Sequence, residues 1–170
     1  HNVAVIKPAT RGMEDKECVM LQGHTDMVCE KNADCDHDFD TEPLELYVED
    51  GILRARGTTL GADDGMGCAY MLAMLESGLP SPALECVFTV QEEVGLIGAF
   101  ALKAEDFKAK RYINLDFGGK GIGTCTTSAG GEMIGLRKPV EFEACSDPVY
   151  RLFVTGLKGG HSGGCINREL

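Results

Sequence analysis

Short acidic segments, one of which includes a histidine, recur along this 170-residue chain, and their residue types are those of a divalent-metal site. The segments are Gly23-His24-Thr25-Asp26, Gly61-Ala62-Asp63-Asp64-Gly65, Gln91-Glu92-Glu93-Val94-Gly95 and Asp116-Phe117-Gly118. Imidazole nitrogen and carboxylate oxygen, without cysteine, suit a pair of hard or borderline ions such as zinc, manganese or cobalt. Taken singly, each segment is better explained as a hydrogen-bonded turn or a solvated acidic face.

The elements that precede these segments favour a shared site over these separate explanations. Short apolar runs rich in β-formers predict strands at 17–21, 83–90 and 111–115. Residues 65–77 predict a largely buried helix that Gly78 ends, and a further helix is expected around 98–110. This order predicts an α/β sheet with helices on its faces. Ligands bind beyond the carboxyl ends of strands in such sheets, so all four segments are expected to converge on one crevice.

Composition restricts the class of protein. The formal net charge of −11 argues against a nucleic-acid partner, which needs a basic face. No apolar run approaches the length of a membrane span, and 44% hydrophobic with 25% charged residues is typical of a globular protein. Eight cysteines without a Cys-x-x-Cys pair predict reduced thiols in a cytoplasmic protein.

The run from residue 30 to residue 50 contains nine acidic residues and a single base, Lys31. Alternating Asp34, Asp36 and Asp38, with Glu45 in the twelfth position, match part of a calcium loop. The sixth position of such a loop requires glycine, and here it is Phe39. The run is therefore predicted to be a solvated acidic loop.

Four longer runs carry a family resemblance: Leu21-Gln22-Gly23-His24-Thr25-Asp26-Met27-Val28, residues 54–65 (RARGTTLGADDG), Glu92-Glu93-Val94-Gly95 with Gly98-Ala99-Phe100, and residues 157–164 (LKGGHSGG). They resemble the aminoacyl-histidine dipeptidases, the cytosolic Xaa-His dipeptidases of bacteria. These belong to the co-catalytic zinc exopeptidases, with carboxypeptidase G, peptidase T and succinyl-diaminopimelate desuccinylase. The resemblance extends through nearly the whole chain in order and spacing.

The resemblance implies a ligand set for two divalent ions, with zinc as the first choice and cobalt or manganese as alternatives. Asp63 would bridge the two ions, His24 and Asp116 would complete one of them, and Glu93 would hold the other. A carboxylate can offer one oxygen to each of two ions about 3.5–4 Å apart, and the shared water then loses its proton near neutral pH. The last ligand of the family is a histidine near the C-terminus, for which this chain has no candidate after His161.

Three further residues receive roles from the resemblance. Glu92 would be the general base that takes a proton from the water and returns it to the leaving amine. Asp26 would hydrogen-bond the ligating imidazole and fix its tautomer. His161, after the strand-like residues 150–155, would polarise the substrate carbonyl or stabilise the tetrahedral intermediate. Lys158 in the same glycine-rich turn lacks the residue order of a phosphate loop.

The implied fold is a mixed sheet flanked by helices, of the phosphorylase/hydrolase-like type seen in zinc exopeptidases. Residues 1–136 would form a catalytic domain without its N-terminal part, and residues 137–170 the beginning of a smaller α+β lid domain. The full-length protein would form a homodimer through that lid. Both ends of the chain are interpreted as cuts in a longer protein, since it begins at His1 without an initiator Met or leader.

The implied activity is metal-dependent hydrolysis of short unblocked dipeptides, of the Xaa-His type, by a bridging hydroxide. Two alternatives share the metal residues: a tripeptidase or an N-acyl amino-acid hydrolase of the same superfamily. A non-catalytic binding homologue is a third alternative, although it would have no need for the free base Glu92. After the strand with Asp116 the dipeptidases have a polar, acidic continuation, whereas this chain has Phe117-Gly118-Gly119. This difference bears on the choice of substrate.

Overall fold

The computed structural model describes residues 1–117, 137–141, 143–144 and 146–157. The chain divides into two compact units, His1–Met133 and Ile134–Leu170. Among the described residues, all regular secondary structure lies in the first unit. No helix in this part of the chain is long and apolar enough to span a membrane.

The described part of the first unit, residues 1–117, contains six strands, two helices and one 3₁₀ turn. In chain order they are β1 (Val3–Lys7), β2 (Val19–His24), β3 (Leu46–Glu49), β4 (Ile52–Ala55), α1 (Ala62–Glu76), β5 (Leu84–Thr89), α2 (Ile97–Phe100), a 3₁₀ turn (Ala104–Asp106) and β6 (Arg111–Asn114).

Four of the strands form one mixed sheet in the order β1-β5-β2-β6. Strand β2 is parallel to both β5 and β6, and β1 pairs with β5 in the antiparallel direction. Leu21 of β2 faces Cys86 on one side and Ile113 on the other. The mixed α/β sheet expected from the sequence is confirmed. Because β5, β2 and β6 run in the same direction, the residues that follow them meet at one edge.

The apolar core lies between α1 and one face of the sheet. Met71 of α1 is fully buried against alternate residues of β2 and β5, as the two-residue period of strands requires. The buried members of this cluster are Leu21, Met71, Leu84, Cys86 and Phe88. Helix α1 is therefore seated directly over the strand that ends at His24.

The remaining residues of β2 and β5 form a polar network that ties three strands together. The Gln22 side-chain amide donates to Thr89 Oγ1 at 2.9 Å. Gln22 Oε1 accepts from Tyr112 Oη at 2.7 Å and from Asn114 Nδ2 at 2.6 Å. Gln22 and Thr89 are both buried, and such groups are stable in the interior only when they are paired. This network fixes β2, β5 and β6 relative to one another just before the candidate site.

Glu85 of β5 is buried and holds the segment that leads into β6. Its two carboxylate oxygens accept from the backbone amides of Lys108 at 2.9 Å and Ala109 at 3.0 Å. The helix predicted over 98–110 is wrong in extent, since only α2 and the 3₁₀ turn form there. Amides that a longer helix would pair with carbonyls four residues earlier are bonded to Glu85 instead.

Three other expectations need correction. Strand β1 was not predicted, because its five residues show no alternation of apolar and polar side chains. In the structure four of the five are exposed. The β3–β4 hairpin begins inside the acidic run, whereas residues 30–45 contain no named strand and are mostly exposed, which agrees with the predicted loop. Residues 150–155 form no strand, and their side chains are exposed without a described strand to pair with.

A carboxylate of the acidic loop accepts hydrogen bonds from residues of the same loop. Asp38 accepts from Thr41 Oγ1 at 2.6 Å and from the amide of Asp40 at 3.0 Å. Among the described residues, the groups that could hold a metal ion lie elsewhere. The five described cysteines, Cys18, Cys29, Cys35, Cys68 and Cys86, are free.

Replacing Glu85 by glutamine removes one of its two acceptor oxygens and leaves a buried backbone amide without a partner. We expect Glu85→Gln to lower the free energy of unfolding by about 1.5–3 kcal/mol, the value of a hydrogen bond to a charged group. Urea unfolding of the full chain that carries this sequence measures the change. The exposed Glu76→Gln is the matched control and should stay within about 0.5 kcal/mol of the parent. Equal stability of the two variants would contradict the role given to Glu85.

Candidate metal centre

His24 occupies the last position of β2 and is the centre of the site. Its side chain is 1% exposed. Nε2 lies 3.0 Å from Asp63 Oδ1, 3.8 Å from Asp116 Oδ2 and 4.0 Å from Glu92 Oε2. The three carboxylates come from the first turn of α1 and from the segments that follow β6 and β5. The crevice predicted at the carboxyl edge of the sheet is present.

Two groups of side chains around His24 have the geometry to hold a metal ion. One consists of His24, Asp63 and Asp116, and the other of His24, Glu92 and Glu93, with the ligand atoms of each group within 4.8 Å of one another. Nitrogen and oxygen donors at this spacing fit zinc or a similar divalent ion. The structure thus brings together the residues predicted from sequence as metal ligands and base. His161 lies outside the described residues.

The imidazole of His24 is oriented by its backbone neighbour. Nδ1 donates to the carbonyl oxygen of Asp26 at 2.9 Å, while the Asp26 carboxylate oxygen is farther away, at 3.5 Å. A neutral ring with its proton on Nδ1 has a free lone pair on Nε2, as a metal ligand requires, whereas the protonated ring donates from Nε2 to Asp63. The family resemblance implied that Asp26 makes this orienting contact, and in the structure the shorter contact to Nδ1 is made by its main-chain carbonyl.

The charges around His24 favour a cation at this point. Burial alone would lower the pKa of His24, but the hydrogen bond to Asp63 and the negative charges of Asp116 and Glu92 outweigh it. The pKa therefore lies above the ordinary value for histidine. The same negative field that favours a proton on the ring favours a divalent ion among its neighbours.

The Asp26 carboxylate accepts two hydrogen bonds from the backbone of the neighbouring segment. Oδ1 accepts from the amide of Glu92 at 3.0 Å and Oδ2 from the amide of Glu93 at 3.1 Å. Partial burial raises the pKa of Asp26, but donation by these amides more than compensates, so it lies below the ordinary value. Asp26 thus couples the turn after β2 to the turn that presents Glu92 and Glu93. Sequence analysis had no means of finding this contact across 66 residues.

Asp64 is a buried carboxylate of the site that sequence analysis passed over. It is 4% exposed, and Oδ1 accepts from the amide of Gly67 at 3.1 Å. A Cβ atom on either Gly23 or Gly67 would collide with this carboxylate. Burial is the main reason that the pKa of Asp64 is raised, and the charge of Asp116 adds to it. The signal in the sequence that could have revealed Asp64 was the pair of adjacent acids Asp63 and Asp64, of which one faces the site and the other is interior.

Glu92 is a member of the second group and is partly open to solvent. Its side chain is 29% exposed, and its pKa is raised by burial and by the charges of Asp116, Glu93 and Asp26, against the opposing effect of His24. A carboxyl group with a raised pKa is a better proton acceptor than an ordinary solvated one. This environment would allow the Glu92 carboxylate to accept a proton from a group in the site.

Comparison with known proteins extends the argument from geometry. Residues 20–153 match the model of peptidase family M20/M25/M40. The chain is 41% identical over 169 residues to the cytosol non-specific dipeptidase of Escherichia coli strain K12, covering 98% of this chain and 35% of that protein. It is also 33% identical over 115 residues to the uncharacterized protein YqjE of Bacillus subtilis strain 168, covering 65% of this chain and 28% of that one.

Solved structures give the same result for the fold. The aminoacylhistidine dipeptidase of Vibrio alginolyticus superposes with a TM-score of 0.66 at 46% identity, over 68% of this chain and 24% of that one. A tripeptidase from Staphylococcus aureus superposes with a TM-score of 0.56 at 30% identity, over 69% of this chain and 30% of that one. The chain spans only about a quarter to a third of the length of these relatives.

Asp26→Asn tests whether the two hydrogen bonds that the Asp26 carboxylate accepts position the metal ligands. The new side-chain amide places a donor against the N–H of either Glu92 or Glu93, so that segment should shift away from His24. We expect the affinity for Zn²⁺ to fall about 10–100-fold, measured by competition with a chromophoric chelator on the full chain. Exposed Asp40→Asn is the matched control and should bind as the parent does. Equal affinities of the two variants for Zn²⁺ would show that these hydrogen bonds do not position the ligands.

Proposed function

Because the chain belongs to peptidase family M20/M25/M40, we propose that it contributes the metal centre of a metal-dependent dipeptidase. The observation that carries this proposal is the convergence of one buried imidazole and four carboxylates at the carboxyl edge of the sheet. The relatives named as dipeptidases include the E. coli and V. alginolyticus proteins. The proposed substrates are short unblocked dipeptides, among them those with C-terminal histidine.

The proposed ligands are divided between two ions. His24, Asp63 and Asp116 hold the first, and Asp63 together with Glu93 contributes to the second. When bound, two divalent ions, with zinc as the first candidate, polarise the scissile carbonyl and acidify the attacking water. Support comes from the donor types, from the 3.0 Å and 3.8 Å separations around His24 Nε2, and from the burial of the imidazole.

Glu92 carries the proton in the proposed reaction. Its carboxylate takes a proton from the water that attacks the peptide carbon and later delivers it to the nitrogen of the leaving amine. Asp26 positions Glu92 for this task by holding its backbone amide at 3.0 Å. The raised pKa of Glu92 supports the role, because the group can accept a proton and hold it until the amine departs.

A tripeptidase activity is the second candidate, supported by the S. aureus tripeptidase structure at 30% identity. An N-acyl amino-acid hydrolase would share the same metal residues. A non-catalytic binding protein is the third alternative, and it would have no use for Glu92 as a base.

The remaining proposals concern the whole protein. Residues 137–170 would begin a lid domain that also forms a homodimer interface, and His161 in that domain would act on the substrate carbonyl. The substrate is a small peptide rather than a nucleic acid or membrane surface, in agreement with the net charge of −11. A cytoplasmic location is supported by the name of the E. coli relative and by the free cysteines.

Glu92→Gln tests the proton carrier. The amide is nearly isosteric but cannot accept the proton, so we expect kcat for dipeptide hydrolysis to fall about 10²–10⁴-fold while bound metal is largely retained. Release of free amino acids by the full, metal-loaded chain measures the rate, and elemental analysis measures the metal. Exposed Glu105→Gln in the 3₁₀ turn is the control and should retain the parent rate. Near-normal turnover in Glu92→Gln would show that another group is the base.

Asp63→Asn tests the bridging ligand by a different readout. Loss of one charge from the carboxylate proposed to contact both ions should reduce the bound metal from two ions to one or fewer per chain. Activity should be lost with the metal, and chelation of the parent should abolish activity in the same way. Two tightly bound ions in Asp63→Asn would exclude Asp63 as the bridge. A metal-loaded parent that hydrolyses no dipeptide would overturn the dipeptidase proposal itself.

A further inference from the structure

The segment that carries Glu92 and Glu93 is a loop whose two ends meet. It runs from Val90, the residue after β5, to Gly98 in α2, and we call residues 90–98 the carboxylate loop. The amide of Gly98 donates to the carbonyl of Val90 at 2.9 Å, which closes the loop at its base. The positions of both carboxylates therefore depend on how firmly this base is held.

The carboxylate loop has a backbone conformation that is unfavourable by itself. Gln91 and Leu96 have φ angles of 56° and 59°, in the left-handed region that residues other than glycine rarely adopt. Such conformations persist only where surrounding contacts impose them, so the loop needs contacts from outside itself. Two side chains from distant parts of the chain supply hydrogen bonds to it, Asp26 and Asn2.

Asn2 binds the base of the loop with both ends of its side-chain amide. Its Oδ1 accepts from the amide of Val90 at 3.2 Å, and its Nδ2 donates to the carbonyl of Gly98 at 2.7 Å. Asn2 directly precedes β1, whose antiparallel pairing with β5 places it beside the end of that strand. One side chain thus bonds both ends of the carboxylate loop, across 88 and 96 residues of sequence.

The base of the loop leaves no room for a side chain at position 98. Gly98 is buried, and a Cβ atom there would collide with the carbonyl oxygen of Val90 and with Oδ1 of Asn2. The half-buried Asn2 is therefore in close contact with the backbone that it bonds. Because Val90 offers an N–H and Gly98 a carbonyl oxygen, a side chain that bonds both must accept and donate. An amide does both, whereas a carboxylate of the same shape can only accept.

Asp26 and Asn2 hold different parts of the loop. Asp26 accepts from the amides of Glu92 and Glu93 themselves, whereas Asn2 bonds the two ends. The Glu92 carboxylate lies 4.0 Å from Nε2 of His24. A misplacement of about 1 Å can cost a reaction about 100-fold in rate, so movement of the base of the loop would be felt by a proton carrier at its far side.

We propose that Asn2 is a positioning residue for the hydrolytic reaction: it fixes the base of the carboxylate loop and thereby holds Glu92 where it can exchange a proton with the attacking water. The inference rests on the proposed dipeptidase function, because Asn2 acts through Glu92 as the base. Loss of the Asn2 amide slows proton transfer rather than weakening substrate binding or emptying the metal centre. The value of kcat therefore falls, while KM and the metal content change little.

Two substitutions of similar size test the bonds of Asn2 on the full, metal-loaded chain. Asn2→Leu removes both hydrogen bonds, and Asn2→Asp keeps an acceptor for the amide of Val90 but places an oxygen against the carbonyl of Gly98. We expect kcat for dipeptide hydrolysis to fall about 10–100-fold in both, with KM and bound metal close to those of the parent. Asn32→Asp, at an exposed asparagine, introduces the same charge elsewhere and should retain the parental kcat.

The same substitution combined with Glu92→Gln distinguishes positioning from a general structural role. Once the base is absent its position no longer matters, so Asn2→Leu should have little further effect on the residual rate of Glu92→Gln. A general loss of folded protein would instead lower the rates of the parent and of Glu92→Gln by the same factor.

Amide hydrogen exchange gives a measure that is independent of turnover. Within the loop, the amides of Leu96 and Ile97 donate to carbonyl oxygens at 2.9 Å and 3.0 Å. Both should exchange faster in Asn2→Asp than in the parent, because the loop opens more readily when its base is loosened. The amides of α1 should keep their parental exchange rates.

Each result bears on one of the two proposals. If the parent hydrolyses dipeptides but both Asn2 variants keep its kcat, the positioning role is overturned and the dipeptidase function stands. The role is also overturned if Asn2→Leu lowers the rates of the parent and of Glu92→Gln by the same factor, or if exchange rises in α1 as much as in the loop. If the metal-loaded parent hydrolyses no dipeptide, the proposed function fails and the positioning role fails with it.

Discussion

Mutual repulsion between carboxylates is the constraint around which this sheet edge is built. At an effective dielectric constant of about 20, two like charges 4 Å apart repel by about 4 kcal/mol. Asp26 offsets its charge with two backbone amides, and Asp64 is buried against Gly67. The carboxylates left around the imidazole of His24 are those proposed to share divalent cations. The six acids concerned are Asp26, Asp63, Asp64, Glu92, Glu93 and Asp116.

The scaffold beneath this edge is stiff because its polar residues are paired. Gln22 connects β2 to both neighbouring strands, and Glu85 fixes the entry to β6. Strand β2 ends at His24, while β5 and β6 lead into the segments that present Glu92 and Asp116. The separations at the site are therefore set by the register of three strands rather than by the loops alone. A site on such elements is more accurately positioned than one on loops alone.

The sequence was sufficient to predict the bounds of β2, β5, β6 and α1 to within a few residues, because each is a compact apolar run with clear boundaries. The prediction that α1 is largely buried is wrong, since Met66, Tyr70 and Leu72 are each more than half exposed. It also predicted that polar residues after the strands converge, since parallel strands deliver them to one edge. It could not predict what depends on contacts between distant residues. Near the end of the predicted helix before β6, the amides of Lys108 and Ala109 bond to Glu85, which is 23 residues away from the first of them. The packing of Asp64 against Gly23 and the hydrogen bonds from the amides of Glu92 and Glu93 to Asp26 also join residues that are distant in sequence.

The packing of Asp64 against two glycines has a consequence for how this sequence can diverge. Gly23 belongs to β2 and Gly67 to α1, and the space that both leave open is filled by one carboxylate. A mutation at either glycine cannot be accommodated by its own neighbours, since the obstructing atoms belong to the residue next to Asp63. A side chain at 23 or 67 therefore requires residue 64 to move or to be replaced by a smaller one. Substitutions at these three positions are thus coupled at the helix-strand junction, even though none of the three residues is a proposed metal ligand.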